Sequence, residues 1–312
     1  MHTNLYFLFV RVLSLVFLSF CFSSCGLFDK ELKQDERMAD FRRQMARVED
    51  SLDSHKDRIK AYNTIIEYIN TDKDLITPRK KNLILVECSI LMSNEYFDVK
   101  NYKKAIDVIN NVIQIDSLSS KGYYSRGCIY QTTGNDSLAL NDYGMAIQLN
   151  GNCADAYYNR GIIYEEDGNW DQALRDYSKA IKLQPPYVAD VYNNRGNTYL
   201  AKQMADKAIE DYDKAISIDT VNITAYSNRA GAYIVQKDMD KALYDCNKVI
   251  SLDSTNVHSY NRRASVYYAN SQYEEALNDY QKIIQLDPYN KQGMNAEVKE
   301  AIRDVKALMK KK

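Results

Sequence analysis

The chain has 312 residues, 45% of them hydrophobic and 27% charged, with 41 basic against 42 acidic side chains. That balance excludes the basic footprint of a nucleic-acid binder. With three histidines, no Gly-rich phosphate loop and no His/Cys/Asp cluster at metal-ligand spacing, the sequence points away from an enzyme, a cofactor and a metal.

Residues 5–22, LYFLFVRVLSLVFLSFCF, are apolar apart from Arg11 and two serines. Ser23-Ser24-Cys25-Gly26 follows, and charge begins at Asp29. This resembles a bacterial lipoprotein signal peptide, in which small residues precede a cysteine that is acylated and becomes the mature N-terminus. The resemblance implies loss of residues 1–24, a lipid on Cys25, and membrane attachment in the bacterial cell envelope, facing the periplasm or the surface. Phe22 departs from the usual leucine, and Cys21 is a poorer candidate because Phe20 precedes it. An uncleaved signal anchor stays open, because a spanning helix needs about 20 apolar residues. Residues 25–37 read as a linker.

The next segment, 38–85, is expected to be helical. Met38, Phe41, Met45, Val48, Leu52, His55, Ile59, Tyr62, Ile66 and Ile69 alternate three and four apart, a heptad seam in which only His55 is polar. The spacing predicts one long helix over 38–69, about 48 Å at 1.5 Å per residue. The seam could zip two chains into a homodimer or fold onto its own chain. His55 reads as a tolerated seam residue rather than a ligand. Pro78 suits the first turn of a new helix, with Thr77 as its cap.

A phrase then repeats. Gly127, Gly161, Gly196, Ala230 and Ala264 are spaced by 34, 35, 34 and 34 residues. Tyr130, Tyr164, Tyr199, Tyr233 and Tyr267 follow three residues on, and Ala139, Ala173, Ala208, Ala242 and Ala276 follow at twelve. Tyr143, Tyr177, Tyr212, Cys246 and Tyr280 come four further along, and Ser93, Tyr96, Ala105 and Ile109 form a weaker first copy. The offsets place a small residue and an aromatic on one face of each of two helices. Gly168-Asn169 would break the chain between two such helices, and Pro185-Pro186 would end the second. One helix pair cannot bury its face alone, so pairs must stack.

This pattern resembles the tetratricopeptide repeat, whose period is 34 residues. The resemblance implies an all-α, right-handed superhelical solenoid of six helix pairs, at 86–119, 120–153, 154–187, 189–222, 223–256 and 257–290. Residues 291–312 would add a capping helix with an apolar face of Ala296, Ile302, Val305 and Leu308. It also implies a non-enzymatic scaffold or adaptor whose partner is a protein or peptide.

Arg126, Arg160, Arg195, Arg229 and Arg263 each precede the small residue, and Asp142, Asp176, Asp211, Asp245 and Asp279 each precede the second-helix aromatic place. Matched numbers at a fixed offset favour structural pairs over a basic stripe for an acidic ligand, because a planar guanidinium suits a carboxylate.

In the repeat family the first helix of each pair lines the concave groove. Asn159, Asn194 and Asn228 fall at one groove place, and Arg262 takes it in the sixth unit. Some members hold a peptide's C-terminal carboxylate with residues from three consecutive units. Asn197, Asn228 and Arg262 match that set, while Asn193 and His258 stand where lysines are usual. The resemblance thus implies a groove of Tyr158, Asn159, Asn193, Asn194, Asn197, Asn228, His258, Arg262 and Tyr268. A glycan- or nutrient-binding lipoprotein is the alternative, since tyrosines can stack on sugars. The one tryptophan, Trp170, falls in an inter-helix turn, where packing would explain it. Cys88, Cys128, Cys153 and Cys246 lack zinc spacing. Cys246 reads as a buried thiol, and a Cys128–Cys153 bridge stays open.

Overall fold

The computed structural model of the protein describes residues 33–71, 77–290 and 293–310. Cys25 and the apolar segment 5–22 lie outside the described residues, and so does the linker as far as residue 32. Among the described residues there are fifteen helices and none long and apolar enough to cross a membrane. The chain divides into two compact units, one up to Gly151 and one from Asn152 onward.

The first unit holds α1 (33–51), α2 (His55–Thr71), α3 (Pro78–Asp98), α4 (Tyr102–Ile115), α5 (Ser120–Thr132) and α6 (Asp136–Leu149). The expected long helix is interrupted at residues 52–54. The Ser54 carbonyl accepts from the N–H groups of Asp57 and Arg58 at 3.0 Å, which starts α2. Arg58 reaches back to α1, donating from Nε to Leu52 O at 2.6 Å and from Nη2 to Glu49 O at 3.3 Å. Ser54 thus starts a second helix inside the apolar pattern. The seam survives the break because both helices turn it to one core. Met38, Phe41, Met45, Val48, Tyr62 and Ile69 are buried there against Ile84, Leu85 and Cys88 of α3. The seam is used within its own chain, so the dimer reading loses its surface. Thr77 caps α3 with Pro78 in the first turn, and α3 runs across the expected boundary at 85/86.

The second unit holds α7 (Ala154–Glu166), α8 (Trp170–Lys182), α9 (Val188–Ala201), α10 (Ala205–Ile218), α11 (Ile223–Val235), α12 (Met239–Leu252), α13 (Val257–Ala269), α14 (Tyr273–Leu286) and α15 (Asn295–Met309). Within each unit the helices pack in sequential pairs, each against the next. The turn inside every pair is the same. A left-handed residue stands at Lys100, Gly134, Gly168, Gln203, Lys237 and Ser271, with φ between 59° and 73°. The N–H of the following residue then closes on the carbonyl of Tyr96, Tyr130, Tyr164, Tyr199, Tyr233 or Tyr267 at 2.7–2.9 Å. That bond satisfies a carbonyl which the helix end would leave open.

The α15 helix covers the last pair, with Ile302 and Val305 of the expected face in place and Val298 in addition. Val298 and Val305 are buried with Tyr260, Tyr280 and Ile283, and Ala301, Ile302 and Met309 pack beside them. Ala296 is exposed and Leu308 half-buried. Trp170 is 39% exposed at the start of α8, so the expected packing role is only partly met.

Candidate functional site

The small-to-aromatic offset is a direct contact. A Cβ added at Gly127, Gly161 or Gly196 would stand 2.7 Å from Cε1 of Tyr143, Tyr177 or Tyr212. Those three rings are fully buried. The same places hold Ala230 and Cys246 in the fifth pair and Ala264 and Tyr280 in the sixth, all four buried.

The five arginines pair with the five aspartates within their own helix pairs. Each guanidinium donates from Nε and Nη2 to both oxygens of its aspartate at 2.7–2.9 Å. Four also reach the second helix of the preceding pair. Arg126 donates to Asn110 at 2.8 Å, Arg195 to Ser178 at 2.9 Å, and Arg229 and Arg263 to Asp213 and Asn247 at 2.5 Å. Each guanidinium also lies 5.4–5.9 Å from the rings of two tyrosines on its own helix, as Arg160 does from Tyr157 and Tyr164. Burial opposes the charge on Arg160, Arg195 and Arg229, but the bonds to aspartate outweigh it and hold all three above the ordinary arginine value. The stripe is therefore consumed by the fold.

The asparagines form the second unit's polar network. The first helices α7, α9, α11 and α13 touch one another in turn. Asn228 of α11 donates to Oδ1 of both Asn193 and Asn197 on α9, at 3.0 Å each. Tyr212 donates its hydroxyl to the same Asn197 oxygen at 2.7 Å. Asn193 donates to Asn194 at 3.4 Å, and Asn194 to the Tyr158 hydroxyl at 3.0 Å. Arg262 of α13 donates from Nη1 to the Ser227 carbonyl, one residue before Asn228. Asn193 is 6% exposed, while Asn194, Asn197, Asn228 and Arg262 are half-buried. Burial pushes the Tyr212 hydroxyl pKa up against the opposing charge of Arg262. Burial pushes the Cys246 thiol up to about 11, again against Arg262.

The expected residues are thus only partly gathered. Tyr158, Asn193, Asn194, Asn197 and Asn228 share one chain of hydrogen bonds, with Arg262 beside it. Asn159 is half-buried on α7, and His258 is exposed one turn before Arg262. Tyr268 is 40% exposed, with its ring edge-on to Tyr273 at 5.9 Å. Ser227 and Gly231 were not read from the sequence, and Tyr212 was read only as a packing ring. A Cβ at Gly231 would lie 3.3 Å from Arg262 Nη1. A glycine inside a helix costs roughly 1 kcal/mol relative to alanine, so it is the signal that could have marked this spot.

A separate cleft of about 490 Å3 opens in the first unit between α1, α3 and the start of α5. Met45, Leu83, Val86, Ile90 and Leu91 line it. The bidentate Arg42–Glu87 pair, at 2.8 and 2.9 Å, borders it.

The tetratricopeptide repeat family matches residues 154–187, 189–219 and 258–290. Those segments are the α7–α8, α9–α10 and α13–α14 pairs, and these three helix pairs are tetratricopeptide repeats. No curated protein matches. Among solved structures, the C-terminal part of a repeat protein from Cytophaga hutchinsonii has a TM-score of 0.61 at 20% identity, covering 82% of this chain and 98% of that one. PilF of Pseudomonas aeruginosa has a TM-score of 0.59 at 17% identity, covering 69% and 99%. YrrB, described as a repeat protein with an unusual peptide-binding site, has a TM-score of 0.51 at 18% identity, covering 61% and 97%. These likenesses concern the fold.

Proposed function

We propose that this protein is a lipid-anchored scaffold of the bacterial cell envelope that binds an extended protein segment along α9, α11 and α13. The observation that carries the reading is the amide network of Asn193, Asn197 and Asn228, with Arg262 beside it on the Ser227 carbonyl. Such amides offer paired donors and acceptors to a peptide backbone, and a guanidinium suits a carboxylate. Asn159, His258 and Tyr268 would extend the same surface. The anchor rests on the sequence around Cys25, and two acyl chains hold a protein at a membrane where one does so only marginally. The absence of sequence motifs for catalysis favours binding over chemistry.

The test is a peptide library presented with free and with amidated C-termini, alongside an oligosaccharide panel. The free carboxylate should be preferred. A charged hydrogen bond contributes roughly 1.5–3 kcal/mol, so Arg262→Ala should weaken binding about ten- to a hundredfold. Affinity unaffected by both amidation and Arg262→Ala would reject the carboxylate reading. Sugar binding without peptide binding would favour the glycan-binding alternative.

A further inference from the structure

The end of α3 carries two carboxylates one turn apart, Glu95 and Asp98, with no basic residue in that turn. Glu95 is only 6% exposed. Burial penalises its charge, and the carbonyls at a helix C-terminus repel it further. A cation is therefore called for, and the neighbouring elements supply little of one. From α2, His55 Nδ1 lies 2.6 Å from Glu95 Oε2. Arg58 Nη1 lies 3.4 Å from Glu95 Oε1, but its closest bond is to the Leu52 carbonyl at 2.6 Å. From α1 comes another carboxylate, Glu49, which accepts from the Tyr62 hydroxyl at 3.4 Å. Arg58, partly committed to backbone carbonyls, thus shares Glu95 with His55.

Ligand atoms of His55, Glu95 and Asp98 all lie within 4.8 Å of one another. Bonds of about 2.0–2.2 Å from one ion would draw such a set together with small side-chain movements. We propose that His55, Glu95 and Asp98 bind a divalent transition-metal ion of the zinc class. The ion would pin the start of α2 to the end of α3. An imidazole with two carboxylates selects zinc-like ions over magnesium or calcium, and the fourth position is left for water. The sequence spacing hid the site, because His55 stands 40 residues from Glu95 and occupied a seam position.

The test uses the full-length protein, without a polyhistidine tag and stripped with a chelator. Equilibrium dialysis measures zinc uptake, and cobalt substitution gives a visible absorption spectrum that reports the ligand set. One equivalent per chain is expected. His55→Ala and Asp98→Asn should each weaken binding at least tenfold and remove the rise in melting temperature that zinc gives the parent. Asp98 is exposed, so the metal-free Asp98→Asn protein should melt as the parent does. Failure of the parent to bind zinc, or binding and thermal shift unchanged in both variants, would overturn the proposal.

Discussion

At Gly161 the absence of a side chain decides how closely two helices approach. A methyl there would stand 2.7 Å from the Tyr177 ring, and that ring is fixed by a 2.7 Å bond from its hydroxyl to Glu165. Gly161→Ala should therefore destabilise the protein by about 1–3 kcal/mol through overpacking, outweighing the roughly 1 kcal/mol that alanine gains in helix propensity. Tyr177→Cys alone should also destabilise, by leaving a void. Combined, the two should cost less than their sum, because Ala230 and Cys246 hold those two places two pairs along. Urea denaturation of the four proteins measures this, and strict additivity would deny the coupling. The arginine–aspartate pairs were legible in the same way, since their 16-residue offset recurs in five copies. The tyrosines flanking each arginine were legible only in part, because those ahead of it had no assigned partner. The Asn228 bonds to α9 were not legible at all. Amide pairing depends on which neighbouring helix lies alongside, and a single helix's pattern does not say.

The break at residues 52–54 shows where periodicity alone misleads. A heptad seam specifies which side chains share a face, and it is indifferent to whether one helix or two carry it. Here Ser54 and Arg58 supply the helix end signals, while Phe41 and Tyr68 meet across the hairpin with ring centroids 5.8 Å apart. Phe41 is fully buried, so Phe41→Ala should cost about 3–5 kcal/mol. The mass in solution should be that of a monomer for both parent and variant, read by sedimentation equilibrium. A dimeric parent that dissociates on Phe41→Ala would return the seam to an intermolecular role. The capping helix α15 teaches a related lesson: Val298 forms the face with Val305, because a 298-302-305-309 row fits the helix better than the row begun at Ala296.

On the scale of the whole molecule, repeat architecture gives each helix pair a local core and leaves the asparagine network of the second unit as the feature that packing alone does not demand. Anchoring and recognition are then separable. If Cys25 is acylated, the protein in its native host should take up a fatty-acid probe, and Cys25→Ala should abolish the label and release the chain from membranes. Equal labelling of both would defeat the anchor. The central claim, that the network around Arg262 receives a partner, is tested most directly by affinity capture from native membranes. The parent would be compared with Arg262→Ala, with Asn228→Ala, and with Lys202→Ala as a surface control whose lysine pairs with Asp171 at 2.5 Å. Melting curves would verify that all four are folded. The account predicts that one partner is recovered with the parent and with Lys202→Ala and is lost with the other two. Recovery of the same partner in equal amount with Arg262→Ala and Asn228→Ala would contradict it.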